Sequence, residues 1–327
     1  MAFVSKRNFK SFINIVLITV YILILIGGIV RSTGSGLGCP DWPTCFGKIV
    51  PPTDISQLPT DYKMQFAIKG KEIADFNVVK TWTEYLNRLF GMLTGFFILI
   101  LSVLAFSYRK SDKRIFWLAQ FNLIAVIFQG WLGAVVVSTH LKPVIITLHM
   151  VMAIVIVFIL LQKKKYLLEE EVVTKTLSQS DFTLLRRLSI VVMVLTMIQV
   201  VLGTQVREAV DHVAKGLLEG EREAWLSTLG PVFYIHRSYS ILLVLIQGFF
   251  SYKLFLMSGV NPRLRFHNLG MIFSVLLSLI AGISLVYFHF PRSMQPVHLV
   301  AAVMLMGFQY TCFCDINLLA PKKNNRA

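Results

Sequence analysis

Two histidines of this chain recur at a fixed interval. Adding 149 to His140 and His149 gives His289 and His298. Adding it to Tyr85, Asn87 and Arg88 gives Tyr234, His236 and Arg237. One copy therefore reads Y-x-N-R and the other Y-x-H-R, each followed by a histidine on a later segment. A neutral imidazole is a good axial ligand for haem iron. Two imidazoles at similar depth on alternate helices of a four-helix bundle can clamp a haem, and His236 with His298 invite that chemistry. The first copy offers His149 with Asn87, and an amide is a poor iron ligand beside imidazole. The two copies are therefore expected to do different work. For one isolated histidine the plainer reading is a hydrogen-bonded residue inside the bundle. Pairing within a duplicated frame favours ligation instead, because polar residues in spans are expensive and mark function.

The remaining reactive side chains divide into those with and without partners. His140 and His289 precede the paired histidines by nine residues and fall at helix ends, where a boundary role is the simpler reading. His212 and His267 have no repeat partners and are not ligand candidates. Glu84 lies three residues before Asn87 and four before Arg88, near one helix face. It can take part in proton transfer, or simply pair with Arg88. Arg88 and Arg237 can meet haem propionates, or snorkel to the interface. Cys39 and Cys45 enclose two prolines in an outer loop, where disulfides persist. A strained, exposed ring there suits a redox role, and a structural staple is the alternative. Cys312 and Cys314 read as small apolar residues. No Walker loop, H-E-x-x-H or dinucleotide fingerprint is present.

These residues need elements to place them. The chain has 327 residues, 55% hydrophobic and 15% charged, which is too apolar for a soluble protein of this size. Apolar runs of about 20 residues signal bilayer-spanning helices. Eight are expected: Phe12–Val30, Tyr85–Ser107, Ile115–Val137, Pro143–Gln162, Leu188–Val206, Val232–Leu256, Phe266–Phe288 and Val297–Leu319. The net charge of +15 concentrates on one side: Lys6, Arg7 and Lys10; Arg109, Lys110, Lys113 and Arg114; Lys163 to Arg187; Arg263 and Arg265; and Lys322, Lys323 and Arg326. That is the positive-inside pattern, and it argues against nucleic acid. It places both termini in the cytoplasm; a bacterial inner membrane is the location expected. The first apolar run is too long for a cleaved signal peptide and reads as a retained helix.

The expected fold is an all-α integral membrane protein, with eight helices as two tandem four-helix bundles. Residues 1–165 form one half, with a long outer loop 31–83. Residues 166–187 form a cytoplasmic linker, and 188–327 the other half. Gly27-x-x-Val30-Arg31 and Gly203-x-x-Val206-Arg207 open the halves alike, and Gly133 and Gly282 match at 149. The first opening is offset by 176, so the first outer loop is longer by 27 residues. Val213–Trp225 can form an amphipathic surface helix or an ordinary solvated one.

Six stretches carry a family resemblance. They are G-G-I-V-R-S-T-G-S-G-L-G-C-P-D-W-P-T-C at Gly27–Cys45, T-E-Y-L-N-R-L-F-G at Thr83–Gly91, L-H at Leu148–His149, L-G-T-Q-V-R-E at Leu202–Glu208, I-H-R at Ile235–Arg237 and P-V-H at Pro296–His298. Together they resemble the haem A synthase family over nearly the whole chain. The resemblance implies oxidation of a ring methyl of haem O to a formyl group, giving haem A, through two successive hydroxylations. It implies a haem b cofactor in the C-terminal half on His236 and His298. It implies a substrate haem in the N-terminal half at His149, with Asn87 in place of one family histidine, and it matches Glu84 and the Cys39–Cys45 pair. A haem O synthase upstream, a cytochrome oxidase downstream, membrane lipid and a homo-oligomer are the partners expected. A non-catalytic haem-binding or oxidase-assembly protein and an electron-transfer b-type cytochrome are the alternatives, and Asn87 counts against the last.

Overall fold

Polar caps outside the apolar runs set where several helices begin. Ser5 Oγ accepts from Asn8 N–H (3.2 Å), Asn77 Oδ1 from Lys80 N–H (3.0 Å), Asp112 Oδ1 from Arg114 N–H (3.0 Å) and Asn261 Oδ1 from Arg263 N–H (2.8 Å). Each satisfies a donor that the first helical turn leaves free. In the computed structural model the described residues are 5–67, 70, 73–167, 176–216, 228–257 and 261–321. The long helices are α1 (Lys6–Ser32), α2 (Val78–Leu104), α3 (Lys113–Ser138), α4 (Pro143–Tyr166), α5 (Gln179–Gly216), α6 (Pro231–Leu256), α7 (Pro262–Tyr287) and α8 (Met294–Leu318). All eight contain stretches long and apolar enough to cross a membrane. The protein is an all-α, multi-pass membrane protein.

The caps account for the differences from the hydropathy-based bounds. Helix α1 begins at Lys6 rather than Phe12, and α2 at Val78 rather than Tyr85. The loop between them is correspondingly shorter than 31–83. Helix α5 starts at Gln179, inside the expected linker 166–187, and runs on to Gly216. Its extension past the apolar run carries an i,i+4 ion pair, Arg207 to Asp211 at 2.7 Å. Most of the amphipathic segment expected at Val213–Trp225 lies outside the described residues.

The chain divides into two compact units, residues 1–160 and 161–327. In unit 1, α1 packs on α2 and α2 on α3. In unit 2 the contacts α5–α6, α6–α7, α7–α8 and α8–α5 close a ring of four helices. Lipid tails are as apolar as leucine, so burial alone does not hold spans together; close approach and interhelical hydrogen bonds do. Gly270 of α7 supplies the first, since a Cβ there would lie 2.5 Å from the Phe308 ring of α8. Gln309 of α8 supplies the second, donating to Thr196 Oγ1 of α5 and Gln247 Oε1 of α6, both at 2.9 Å.

The two units share a turn. His140 and Leu141 (φ 53° and 60°) join α3 to α4, and His289 and Phe290 (φ 54° and 55°) join α7 to α8. Histidine is among the residues enriched at positive φ. The recurrence of His140 and His289 thus follows from a repeated left-handed corner.

Candidate functional site

His236 lies on α6 and His298 on α8, and their ring centroids are 6.3 Å apart with planes at 66°. Two imidazoles sharing one metal at about 2.0–2.1 Å per nitrogen, with roughly 1.1 Å more from nitrogen to ring centre, have centroids about 6.3 Å apart. The separation therefore fits one iron between the rings. His298 Nδ1–H donates to the Ser278 carbonyl at 2.8 Å. A carbonyl only accepts, so the proton sits on Nδ1 and Nε2 keeps the lone pair that a metal needs. His236 Nδ1 is buried with no hydrogen-bond partner among the described residues. Small residues make room for both rings. A Cβ on Gly203 or on Gly282 would lie 3.3 Å from Cε1 of His236 or His298 respectively.

Unit 1 repeats part of this. A Cβ on Gly133 would lie 3.6 Å from Cε1 of His149, and His149 Nδ1 is buried and unpartnered among the described residues. Gln129 Nε2 donates to the His149 carbonyl at 3.0 Å, as Gln199 Nε2 does to the His236 carbonyl at 3.1 Å. Gln129, Gln199 and Ser278 each stand one turn before the glycine that faces a histidine. Sequence reasoning missed these three residues; a polar residue four before each glycine was the available signal. Asn87 faces Gly27, whose Cβ would lie 4.0 Å from Asn87 Oδ1.

One turn from Asn87, the same helix holds the disulfide loop. Cys39 and Cys45 are bonded to each other and both are fully buried, so the expectation of an exposed bridge is corrected. Phe46 stacks edge-on against Tyr62, Phe66 and Phe76 (5.5–6.2 Å), giving the loop an aromatic core that covers the bridge. Arg88 donates from Nη1 to the Asp41 and Thr44 carbonyls (2.6 and 2.9 Å). From Nη2 it donates to the Cys39 carbonyl (2.9 Å) and to Glu84 Oε1 (2.6 Å). Glu84 Oε2 accepts from Cys39 N–H at 3.0 Å. Asp41, which sequence reasoning passed over, accepts from Phe46 and Gly47 N–H and from the Thr44 hydroxyl inside the loop. Gly38 is obligatory beside it, because a Cβ there would lie 2.5 Å from the Lys80 carbonyl oxygen.

Arg88 thus has four of its five N–H groups on the loop and Glu84, leaving Nε–H for any propionate. In the second copy Phe233 stands where Glu84 stands in the first. Arg237 lies over the Phe233 and Tyr234 rings at 5.8 and 5.3 Å. His267 is paired with Asp315 at 3.1 Å on the far part of the unit 2 bundle. Cys312 and Cys314 are buried on α8.

A multi-pass bundle with two imidazoles spaced for one iron, and a second copy keeping one of them, defines a haem-binding membrane protein. The chain belongs to the COX15-CtaA family, described as cytochrome oxidase assembly protein, whose pattern it matches over residues 10–310. Among curated relatives, a heme A synthase of Shewanella oneidensis is 30% identical over 138 residues, which is 42% of this chain and 39% of that one. A heme A synthase of Alkalihalophilus pseudofirmus is 31% identical over 144 residues (44% and 41%), and one of Pelagibacter ubique 30% over 154 (42% and 44%). The chain spans about two-fifths of the length of the curated relatives it matches.

Proposed function

We propose that the protein is an oxidoreductase that converts haem O to haem A, oxidising a ring methyl to a formyl group. Unit 2 holds a haem b cofactor on His236 and His298. Unit 1 receives haem O at His149. The halves 1–165 and 188–327, joined by 166–187, are the substrate and cofactor halves. When bound, the haem b supplies one-electron redox chemistry. The chain's own residues do the rest. Gly203 and Gly282 give the rings room, Ser278 fixes the His298 tautomer, and Gln199 pins the His236 backbone. Glu84 and Arg88 tie the disulfide loop to the helix turn that carries Asn87. Both Glu84 oxygens are engaged, so a proton role at the substrate requires release of Cys39 N–H or Arg88.

The observation that carries this reading is the His236–His298 pair at 6.3 Å, each ring against its own glycine. The positive-inside charge pattern supports both termini in the cytoplasm of a bacterial inner membrane. A haem O synthase fits as supplier and a terminal cytochrome oxidase as user.

The test is co-expression of the full chain with a haem O synthase, followed by extraction and separation of the haems. Haem A or its hydroxylated intermediate is expected. Haem b and unmodified haem O alone refute the enzyme and favour a haem carrier in oxidase assembly. His236→Ala and His298→Ala should each abolish the low-spin haem b spectrum; a normal spectrum in both removes the unit 2 assignment.

A further inference from the structure

Four helices carry a glycine opposite a candidate ligand position: Gly27 of α1 faces Asn87, Gly133 of α3 faces His149, Gly203 of α5 faces His236, and Gly282 of α7 faces His298. Where the facing residue is histidine, the residue one turn before the glycine makes a hydrogen bond to it. Gln129 and Gln199 donate to the His149 and His236 carbonyls, and the Ser278 carbonyl accepts from His298 Nδ1. At the fourth place both halves of the pattern change together. The residue before Gly27 is Leu23, which lacks the side-chain amide that Gln129 and Gln199 use, and the facing residue is Asn87. Asn87 Oδ1 is buried and has no hydrogen-bond partner among the described residues.

A lone His-to-Asn exchange in a site otherwise shaped for imidazole would leave the old supporting residue behind. Here the support is apolar as well. By the 149-residue correspondence Asn87 and His149 match His236 and His298, whose rings face each other in unit 2. An amide side chain ends short of the reach of imidazole Nε2 and is a far weaker iron ligand. A buried, unpaired amide carbonyl is unfavourable unless something meets it. Rotation of the amide presents either its carbonyl or its NH2 to that partner.

We propose that unit 1 holds its haem on His149 alone, and that Asn87 leaves the iron's sixth position to a small exogenous ligand, water-sized or diatomic, which its amide positions. This rests on the reading of unit 1 as a haem site. Asn87 is a positioning residue in this scheme, and unit 2 contrasts with it by closing both faces with imidazole.

The test uses the purified full chain loaded with haem b, reduced, and exposed to carbon monoxide. About half of the bound haem should bind carbon monoxide and the other half should stay low-spin and inert. Asn87→His should cut the carbon monoxide-reactive fraction at least about tenfold while the unit 2 spectrum persists. His149→Ala should remove the reactive haem. Asn87→Leu should keep carbon monoxide binding but shift the C–O stretching band, because the polar amide beside the diatomic is gone. A wild-type protein whose haem is wholly low-spin and inert overturns the proposal, as does a unit 1 that takes up no haem. An unshifted C–O band in Asn87→Leu overturns the positioning role. The outcomes separate from those of the haem extraction test. Haem A formed by a carbon monoxide-inert protein refutes this inference alone, and a reactive unit 1 without haem A production refutes the enzyme alone.

Discussion

Arg88→Leu isolates the clamp between α2 and the disulfide loop. The change removes four donors, leaving the Cys39, Asp41 and Thr44 carbonyls and Glu84 Oε1 without them. The Arg88 and Glu84 side chains are 13% and 4% exposed, so the ion pair is largely shielded from water. Breaking such a pair from one side costs about 3–5 kcal/mol. The three carbonyls regain water when the loop opens, so they add little beyond that range. A loss of about 3 kcal/mol raises the population of the locally open loop roughly a hundredfold. Cys39 and Cys45 are fully buried in the closed loop, so a reductant reaches the bridge only through the open form. Dithiothreitol reduction followed by alkylation and mass spectrometry then reads that population. The Arg88→Leu bridge should be reduced about a hundredfold faster than wild type. Arg88→Lys should recover part of the ion pair but not the fork to three carbonyls. Adding Glu84→Gln to Arg88→Leu should restore part of the protection, because the uncompensated carboxylate is gone. Equal reduction rates in wild type and Arg88→Leu would show that the clamp does not hold the loop.

Other substitutions follow from close contacts. Gly203→Ala and Gly282→Ala each place a methyl 3.3 Å from a histidine ring carbon, whereas Gly133→Ala places one at 3.6 Å. The first two should each cost about 1–3 kcal/mol and disturb the low-spin haem spectrum; Gly133→Ala should leave the His149 site near wild type in carbon monoxide binding. Gln309→Leu withdraws a donor from Gln247 and Thr196, and should destabilise unit 2 by about 1–2 kcal/mol, read as a lower thermal midpoint, without changing haem spectra. A haem spectrum that tracked this loss would place Gln309 in the haem site instead.

Much of this was legible in the chain. The eight spans stood out because a bilayer demands long apolar runs, and the 149-residue interval marked Asn87, His149, His236 and His298 as equivalent places. The helix starts were less legible, since hydropathy stops at the last apolar residue while Ser5, Asn77 and Asn261 begin their helices in polar sequence. The loop was the least legible. Its two cysteines suggest a bridge, but their burial depends on Phe46, Tyr62, Phe66 and Phe76 converging from positions up to 30 residues apart. For Arg88 the spacing offers haem propionates, the membrane interface or a pair with Glu84, and the pair is present. Its bonds to three carbonyls of one short loop follow from the path of the loop and not from spacing.

The second copy shows what that path requires. Phe233 and Arg237 occupy the places of Glu84 and Arg88, and among the described residues the Arg237 guanidinium lies over the Phe233 and Tyr234 rings. A cation over a ring is a local contact within one helix turn. A buried carboxylate does more, because it accepts a backbone N–H from Cys39 while orienting the guanidinium towards three carbonyls. Among the described residues the loop clamp is found in the unit that also lacks the second imidazole, and both features fall within one turn of α2. Glu84 and Arg88 grip the covalent ring of the loop, and Asn87 between them faces Gly27. Opening the loop and altering the haem face are thus changes to the same helical turn. Reduction of the Cys39–Cys45 bridge should consequently shift the C–O stretching band of carbon monoxide bound in unit 1, and a band that stays fixed on reduction would uncouple the two.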